Sequence, residues 1–317
     1  MLITTVLIAS RFVHYFGLMA LFGAAVFQVI AFRPPHGGGP EGVDGLSVGL
    51  GRFLAGAGLA SLVSACVWLA AAAAQVSDGP ADAMNAHALF RLLTETSFGN
   101  VWALRLSLSL VLALALLARP RAPGRDLRGL ALMGLAAVLL VSLAWTGHTQ
   151  LREGAERWIH RTSDALHLLG ASLWLGGLMS LGYILWPRDR SRAHDAAEMV
   201  ATLSRFSALG YLAVALLVVS GVVNAEFLVG GVDHLVGTNY GRVLAAKLVL
   251  FTCMLTLAGA NRFWIVPRLK SAGCGSAGCE ATWMRRIRRH VLLEQVFGLG
   301  VLACVSVLGT LTPAASS

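Results

Sequence analysis

Read for hydropathy, the chain alternates long apolar runs with short breaks rich in proline, glycine or arginine. A helix needs about 20 predominantly apolar residues to cross a bilayer. Eight runs meet that length, at roughly 4–32, 46–75, 97–118, 127–147, 161–186, 205–230, 241–265 and 291–312. The breaks include RPPHGGGPEG at 33–42, RPRAPGR at 119–125, PRDRSR at 187–192 and the stretch from Pro267 to His290. The pattern predicts an all-α, polytopic transmembrane bundle of about eight spans.

Composition agrees. Of the 317 residues 56% are hydrophobic and 13% charged, about half the charged share of a soluble domain, and the mean hydropathy is +0.71. The net charge of +9 does not indicate nucleic acid as a partner, because the arginines cluster between apolar runs, where they orient helices in the lipid bilayer. Arg119, Arg121, Arg125 and Arg128 fill one break, Arg188, Arg190 and Arg192 a second, and Arg268, Lys270, Arg285, Arg286, Arg288 and Arg289 a third. The positive-inside rule puts these three in the cytoplasm, so both termini are expected to face outward. The first run is too long for a cleavable leader and lacks a small-residue cleavage site.

Polar positions inside the spans suggest a duplication. His14, Gly17 and Gly23 of the first span recur 153 residues later as His167, Gly170 and Gly176 in the fifth. Arg52-Phe53 at the head of the second span returns as Arg205-Phe206 at the same interval. Gly99 and Arg105 of the third match Gly241 and Lys247 of the seventh, 142 residues on. The expected organisation is a parallel four-plus-four repeat, with 1–150 as the first four-helix unit and 151–317 as the second.

An ionisable residue at mid-span costs about 2.5–3.5 kcal/mol on insertion scales, so Arg11, His14, Arg105, Asp164, His167, Glu226, Lys247 and Glu294 need a reason to be there. His160, Asp164 and His167 follow one another at i, i+4 and i+7, along one helical face. Asp164 is placed to accept an imidazole N–H and fix the tautomer. Imidazole suits copper, zinc, nickel and iron. With His14 from the matching helix and His148 after the fourth span, these residues are the candidate metal ligands, expected to converge on one outward-facing pocket. The plainer alternative is that each is a hydrogen-bonded packing residue. Arg11 is expected to pair with Asp164, and Glu226 with Arg242 or Lys247. Gly170, Gly176 and Gly177 read as close-approach positions, and Trp145, Trp158 and Trp264 as interfacial anchors. Cys274 and Cys279 flank a glycine-rich link in the third basic break, a weak thiol pair for Cu(I). No nucleophile–base pair or phosphate-binding loop is present, so the sequence makes no case for an enzyme.

DALHLLGASLWLGGLMSL, LSRFSALGYLAVALLVVSGVVNA, TNYGRVLAAKLVL and GANRFWIVPRL together resemble the copper-resistance protein D (CopD) family, from about residue 160 to the C-terminus. The first half fits a full-length member with eight spans. The resemblance implies a multi-pass protein of the bacterial inner membrane with periplasmic termini, carrying copper ions from periplasm toward cytoplasm alongside periplasmic copper-binding proteins. It marks Asn224, Tyr240-Gly241-Arg242 and Asn261-Arg262 as signature positions without assigning roles. Methionine-rich MxxM motifs are missing, which leaves the oxidation state of the copper open. Two other readings stay open: a haem-binding electron-transfer protein, since paired membrane histidines ligate haem axially, and a copper-delivery assembly factor that does not translocate the ion. Oligomeric state is equally open, a homo-oligomer included.

Overall fold

The computed structural model describes residues 2–32, 40–76, 86–119, 121–145, 154–186, 196–229, 233–272 and 277–314. Every element among them is helical: α1 (Leu2–Val26), α2 (Pro40–Val76), α3 (Ala86–Glu95), α4 (Ser97–Ala118), α5 (Leu127–Ser142), α6 (Gly154–Leu185), α7 (Ala196–Val229), α8 (Asp233–Gly237), α9 (Asn239–Ala260), α10 (Val266–Ala272) and α11 (Ala277–Leu308). Eight segments among the described residues are long and apolar enough to cross a membrane: Leu2–Ala31, Ser47–Gln75, Phe98–Ala118, Leu127–Trp145, Gly154–Leu185, Glu198–Val229, Asn239–Ser271 and Ala281–Leu308. Each matches one of the eight expected runs. An even number of crossings leaves both ends of the chain at one end of the bundle, here the terminal end. Among the described residues, the basic side chains of the first and third breaks, such as Arg121, Arg128, Arg268 and Lys270, lie at the other, arginine-rich end.

Local chemistry sets several boundaries. Thr96 caps α4 by accepting the Gly99 N–H at 2.8 Å, and Thr238 caps α9 by accepting the Gly241 N–H at 3.0 Å. Asp126 does the same for α5 through Gly129. Each cap satisfies a backbone donor that the first helical turn leaves without an intrahelical partner. α1 runs on through a π-helical turn at Phe27–Ala31, and α9 through another at Asn261–Ile265.

The two most buried spans are those of α1 and α6, which pack against each other at the centre. α2 and α5 pack on α1, with α4 against both of them; α7 packs on α6, and α11 bridges α1 and α6 and carries α9, giving one apolar core on each side of the central pair. Small residues let that pair touch. A Cβ on Gly23 would lie 2.6 Å from Gly176 Cα and collide with the Ser172 carbonyl; one on Gly176 would lie 2.8 Å from Gly23 Cα and collide with the Met19 carbonyl. Gly177 instead faces the Phe206 ring of α7, and Gly170 packs on Leu216 and Leu217, so the close-approach reading of all three glycines of α6 holds.

Candidate functional site

His14 lies in α1 with no solvent exposure. Its Nδ1 is 2.9 Å from the carbonyl oxygen of Ser61 on α2, with Ser61 Oγ at 3.1 Å. A carbonyl only accepts, so Nδ1 carries the proton and the ring lone pair sits on Nε2. That Nε2 is buried and makes no hydrogen bond among the described residues. The Trp68 ring packs edge-on at 5.8 Å and forms the adjoining wall.

His167, in α6, is held in the same manner. Its Nδ1 is 3.0 Å from Ser220 Oγ on α7. The Ser220 hydroxyl donates to the Leu216 carbonyl one turn earlier, which makes Oγ the acceptor and again places the lone pair on Nε2. Ser163 Oγ donates to the Ser220 carbonyl at 3.0 Å and braces the same contact. One turn further along α7, Asn224 is buried with an Oδ1 that has no partner among the described residues.

The expected convergence of the two imidazoles on one pocket is corrected by this geometry. Nine residues separate His14 from Gly23, and His167 from Gly176, which is two and a half helical turns. Each ring therefore points away from the α1–α6 seam, toward the helix that follows it. Among the described residues no three His, Cys, Asp or Glu side chains form a group able to hold a metal ion. His160 is buried and stacks on Phe227 at 4.9 Å. His148, His36, His194 and Cys274 lie outside the described residues, and of Cys279 only the helical backbone is described.

At Nδ1 of His14 and His167 the acceptors are Ser61 and Ser220 of the neighbouring helices rather than Asp164. Asp164 lies within electrostatic reach of Lys247, and its own charge reaches two phenols, Tyr15 and Tyr240. Arg11 does not pair with it: the Arg11 guanidinium lies 4.8 Å over the Trp68 ring, with Nε and Nη1 buried and unbonded among the described residues. Glu226 is exposed and forms no ion pair with Arg242 or Lys247 among the described residues.

Each histidine has one cation nearby, Arg105 for His14 and Lys247 for His167. Arg105 is fully buried, donates from Nε and Nη2 to Ser142 Oγ and carbonyl at 3.1 and 2.8 Å, and lies 4.6 Å over Trp102. Trp102 in turn packs edge-on against Trp68 at 5.2 Å. Toward the arginine-rich end, Asn261 Nδ2 donates to Glu294 Oε1 at 2.7 Å, and Trp174 is the other polar neighbour of that carboxylate. Trp158 and Trp264 are exposed, as membrane-interface anchors are. Sequence reading missed the two latching serines. Their only signal was a hydroxyl within an apolar run, which usually just back-bonds its own helix.

Comparison with known proteins covers nearly the whole chain. Residues 1–158 match the family model described as copper resistance protein D-like, N-terminal domain, and residues 200–308 the model described as copper resistance protein D. Copper resistance protein D of Pseudomonas syringae pv. tomato is 34% identical, over 96% of each chain. Inner membrane protein YebZ of Escherichia coli K12 is 31% identical, over 96% of this chain and 98% of its own. Copper transport protein CutJ of Bacillus subtilis 168 is 30% identical over 69% of this chain and 38% of its own length. No solved structure matches. The first half is thus as recognisable as the second, and with its eight spanning helices the chain belongs to the copper resistance protein D family, as a multi-pass protein of the inner membrane.

Proposed function

We propose that the chain takes up copper ions at the periplasmic face and passes them toward the cytoplasm, through two equivalent histidine positions, His14 in one half and His167 in the other. The carrying observation is the shared tautomer: in both halves Nδ1–H is latched to a serine of the next helix, which puts the ring lone pair on Nε2, and the buried Nε2 of His14 has no hydrogen-bond partner among the described residues. Such latches are the usual way a metal-ligating histidine is oriented.

The reading includes a parallel four-plus-four repeat. Supporting it, the Thr96 and Thr238 caps are 142 residues apart, the same interval as Gly99 to Gly241 and Arg105 to Lys247. The reciprocal Gly23–Gly176 contact is what a two-fold relation between α1 and α6 requires. The orientation follows from the arginine-rich end, cytoplasmic by the positive-inside rule, which makes the terminal end periplasmic.

Each position offers few donors and has a cation beside it, Arg105 or Lys247. Both features weaken binding of a copper ion, and transport requires an ion that can leave again. In this reading His160 and Asp164 of α6, with Asn224 of α7, line the approach to His167, and His148 is a further candidate ligand. Periplasmic copper-binding proteins would hand over the ion there. The names of two relatives, copper resistance protein D and copper transport protein CutJ, fit this reading.

The test is copper analysis of purified protein beside His14→Ala, His167→Ala and the double variant, with copper uptake measured in proteoliposomes. Stepwise loss of copper and uptake is the expected result. Unchanged copper content in the double variant would remove the site. A Soret band in place of copper would establish the haem reading, and stoichiometric copper without uptake the delivery-factor reading.

A further inference from the structure

The two halves are packed differently in one place. In the first, α2 and α4 lie directly against each other, with Gly58 set against Leu116 and Ala113. In the second, α7 and α9 stand apart. Between them runs a cleft of about 490 Å³ with largely apolar walls. Gly210 of α7 and Gly259 of α9 both line it, and neither has any atom within 4 Å of where a Cβ would be.

The cleft does not end blindly. Tyr211, Arg262, Phe263 and Val266 also wall a second recess of about 350 Å³, which Lys270 borders at the arginine-rich end. Arg262 makes one long hydrogen bond, Nε to Tyr211 Oη at 3.4 Å, and its guanidinium lies 5.9 Å from the centre of that ring; no carboxylate is paired with it or with Lys270 among the described residues. An apolar slot within the membrane, with Glu294 held by Asn261 as the carboxyl group on its wall, thus leads to two cations that have no paired carboxylate among the described residues.

That combination has the chemistry of a phospholipid. The volume falls within the range of about 300–1,000 Å³ usual for ligand sites, the walls suit an acyl chain, and basic pockets between spanning helices bind anionic head groups. An isoprenoid quinone would fill the slot but carries no anion for the two cations. We infer that an anionic phospholipid of the leaflet at the arginine-rich end binds here, with one acyl chain between α7 and α9 and its phosphate at Arg262 and Lys270. The site is separate from the histidines and stands whether or not they carry copper.

Native mass spectrometry of the full-length protein tests it, after equilibration with mixed micelles of equal phosphatidylglycerol and phosphatidylcholine. Wild type is expected to retain phosphatidylglycerol with a preference of roughly thirtyfold, the scale of two basic side chains near an anionic head group. Arg262→Gln with Lys270→Gln, both at the surface, is expected to bring the two lipids to parity. Gly210→Leu with Gly259→Leu fills the slot without altering a charge and is expected to abolish retention of either lipid. Equal retention of both lipids by wild type, an unchanged preference in the charge variant, or a quinone in place of phospholipid would overturn the inference.

Discussion

Gly23 of α1 and Gly176 of α6 each occupy the space where the other's side chain would stand. Alongside them, Ser172 Oγ donates to the Met19 carbonyl at 3.0 Å. The central helices are therefore in backbone contact, with no side chain able to give way. Gly23→Ala is expected to destabilise the protein by about 1–3 kcal/mol, the usual cost of overpacking. Gly134→Ala on α5, where a Cβ meets open space, is expected to be neutral or to stabilise by up to about 1 kcal/mol, since alanine is the better helix former. Thermal unfolding of both variants in detergent checks the contrast.

The two serine latches differ in which oxygen they use, and that difference is testable. His14 donates to the backbone carbonyl of Ser61, which a serine-to-alanine change retains, whereas the Ser220 Oγ that faces His167 is lost in Ser220→Ala. On the proposed copper sites, Ser220→Ala is expected to weaken copper binding at His167 about 10–100-fold, as loss of a ligand-orienting partner does elsewhere. Ser61→Ala is expected to change binding at His14 much less. Copper titration of the two variants, each in a background lacking the other histidine, gives the answer.

Arg105 tests the price of a buried cation. Its two hydrogen bonds to Ser142 and its place over Trp102 depend on a planar guanidinium. Arg105→Lys keeps the charge and loses that fork, and is expected to cost about 1.5–3 kcal/mol, the worth of one hydrogen bond to a charged group. Chemical or thermal unfolding in detergent measures it, and Lys247→Arg in the second half provides the reverse exchange.

Asn261 holds Glu294 within the membrane by a 2.7 Å hydrogen bond. Asn261→Leu removes that donor while Glu294 stays buried, and is expected to destabilise by about 1–3 kcal/mol, the penalty of an unsatisfied buried polar group. A double variant with Glu294→Gln is expected to recover part of the loss, because a neutral amide costs less to strand than a carboxylate. Unfolding of the four proteins of that cycle decides whether the two residues act together.

The spans were legible because hydropathy reports on lipid, and lipid decides where these helices lie. The ends were less so. α6 begins at Gly154 rather than near 161, and α11 at Ala277 rather than near 291, because helix formation continues into polar sequence such as MetArgArgIleArgArg, to which an apolar window is blind. α3 was missed for the same reason: it is short and exposes Phe90, and its surface carries an Arg91–Glu95 pair one turn apart. Of the site, the histidines were legible as costly residues in apolar runs. Their direction was not, because matching positions in two helices fix equivalence rather than facing. Placing Gly23 and Gly176 on the seam turns His14 and His167 away from it, and only the helix contacts reveal which residues form the seam.

Eight crossings bring the chain's start and finish out on the same face of the membrane. A stretch encoding four crossings can be copied in tandem without turning the second product upside down, whereas three or five would invert it. In the proposed four-plus-four repeat, parity lets a polar residue in one half have a twin at the same depth, open to the same compartment. Reporter enzymes fused before Leu2 or after Ala314 must then agree on the compartment they sample.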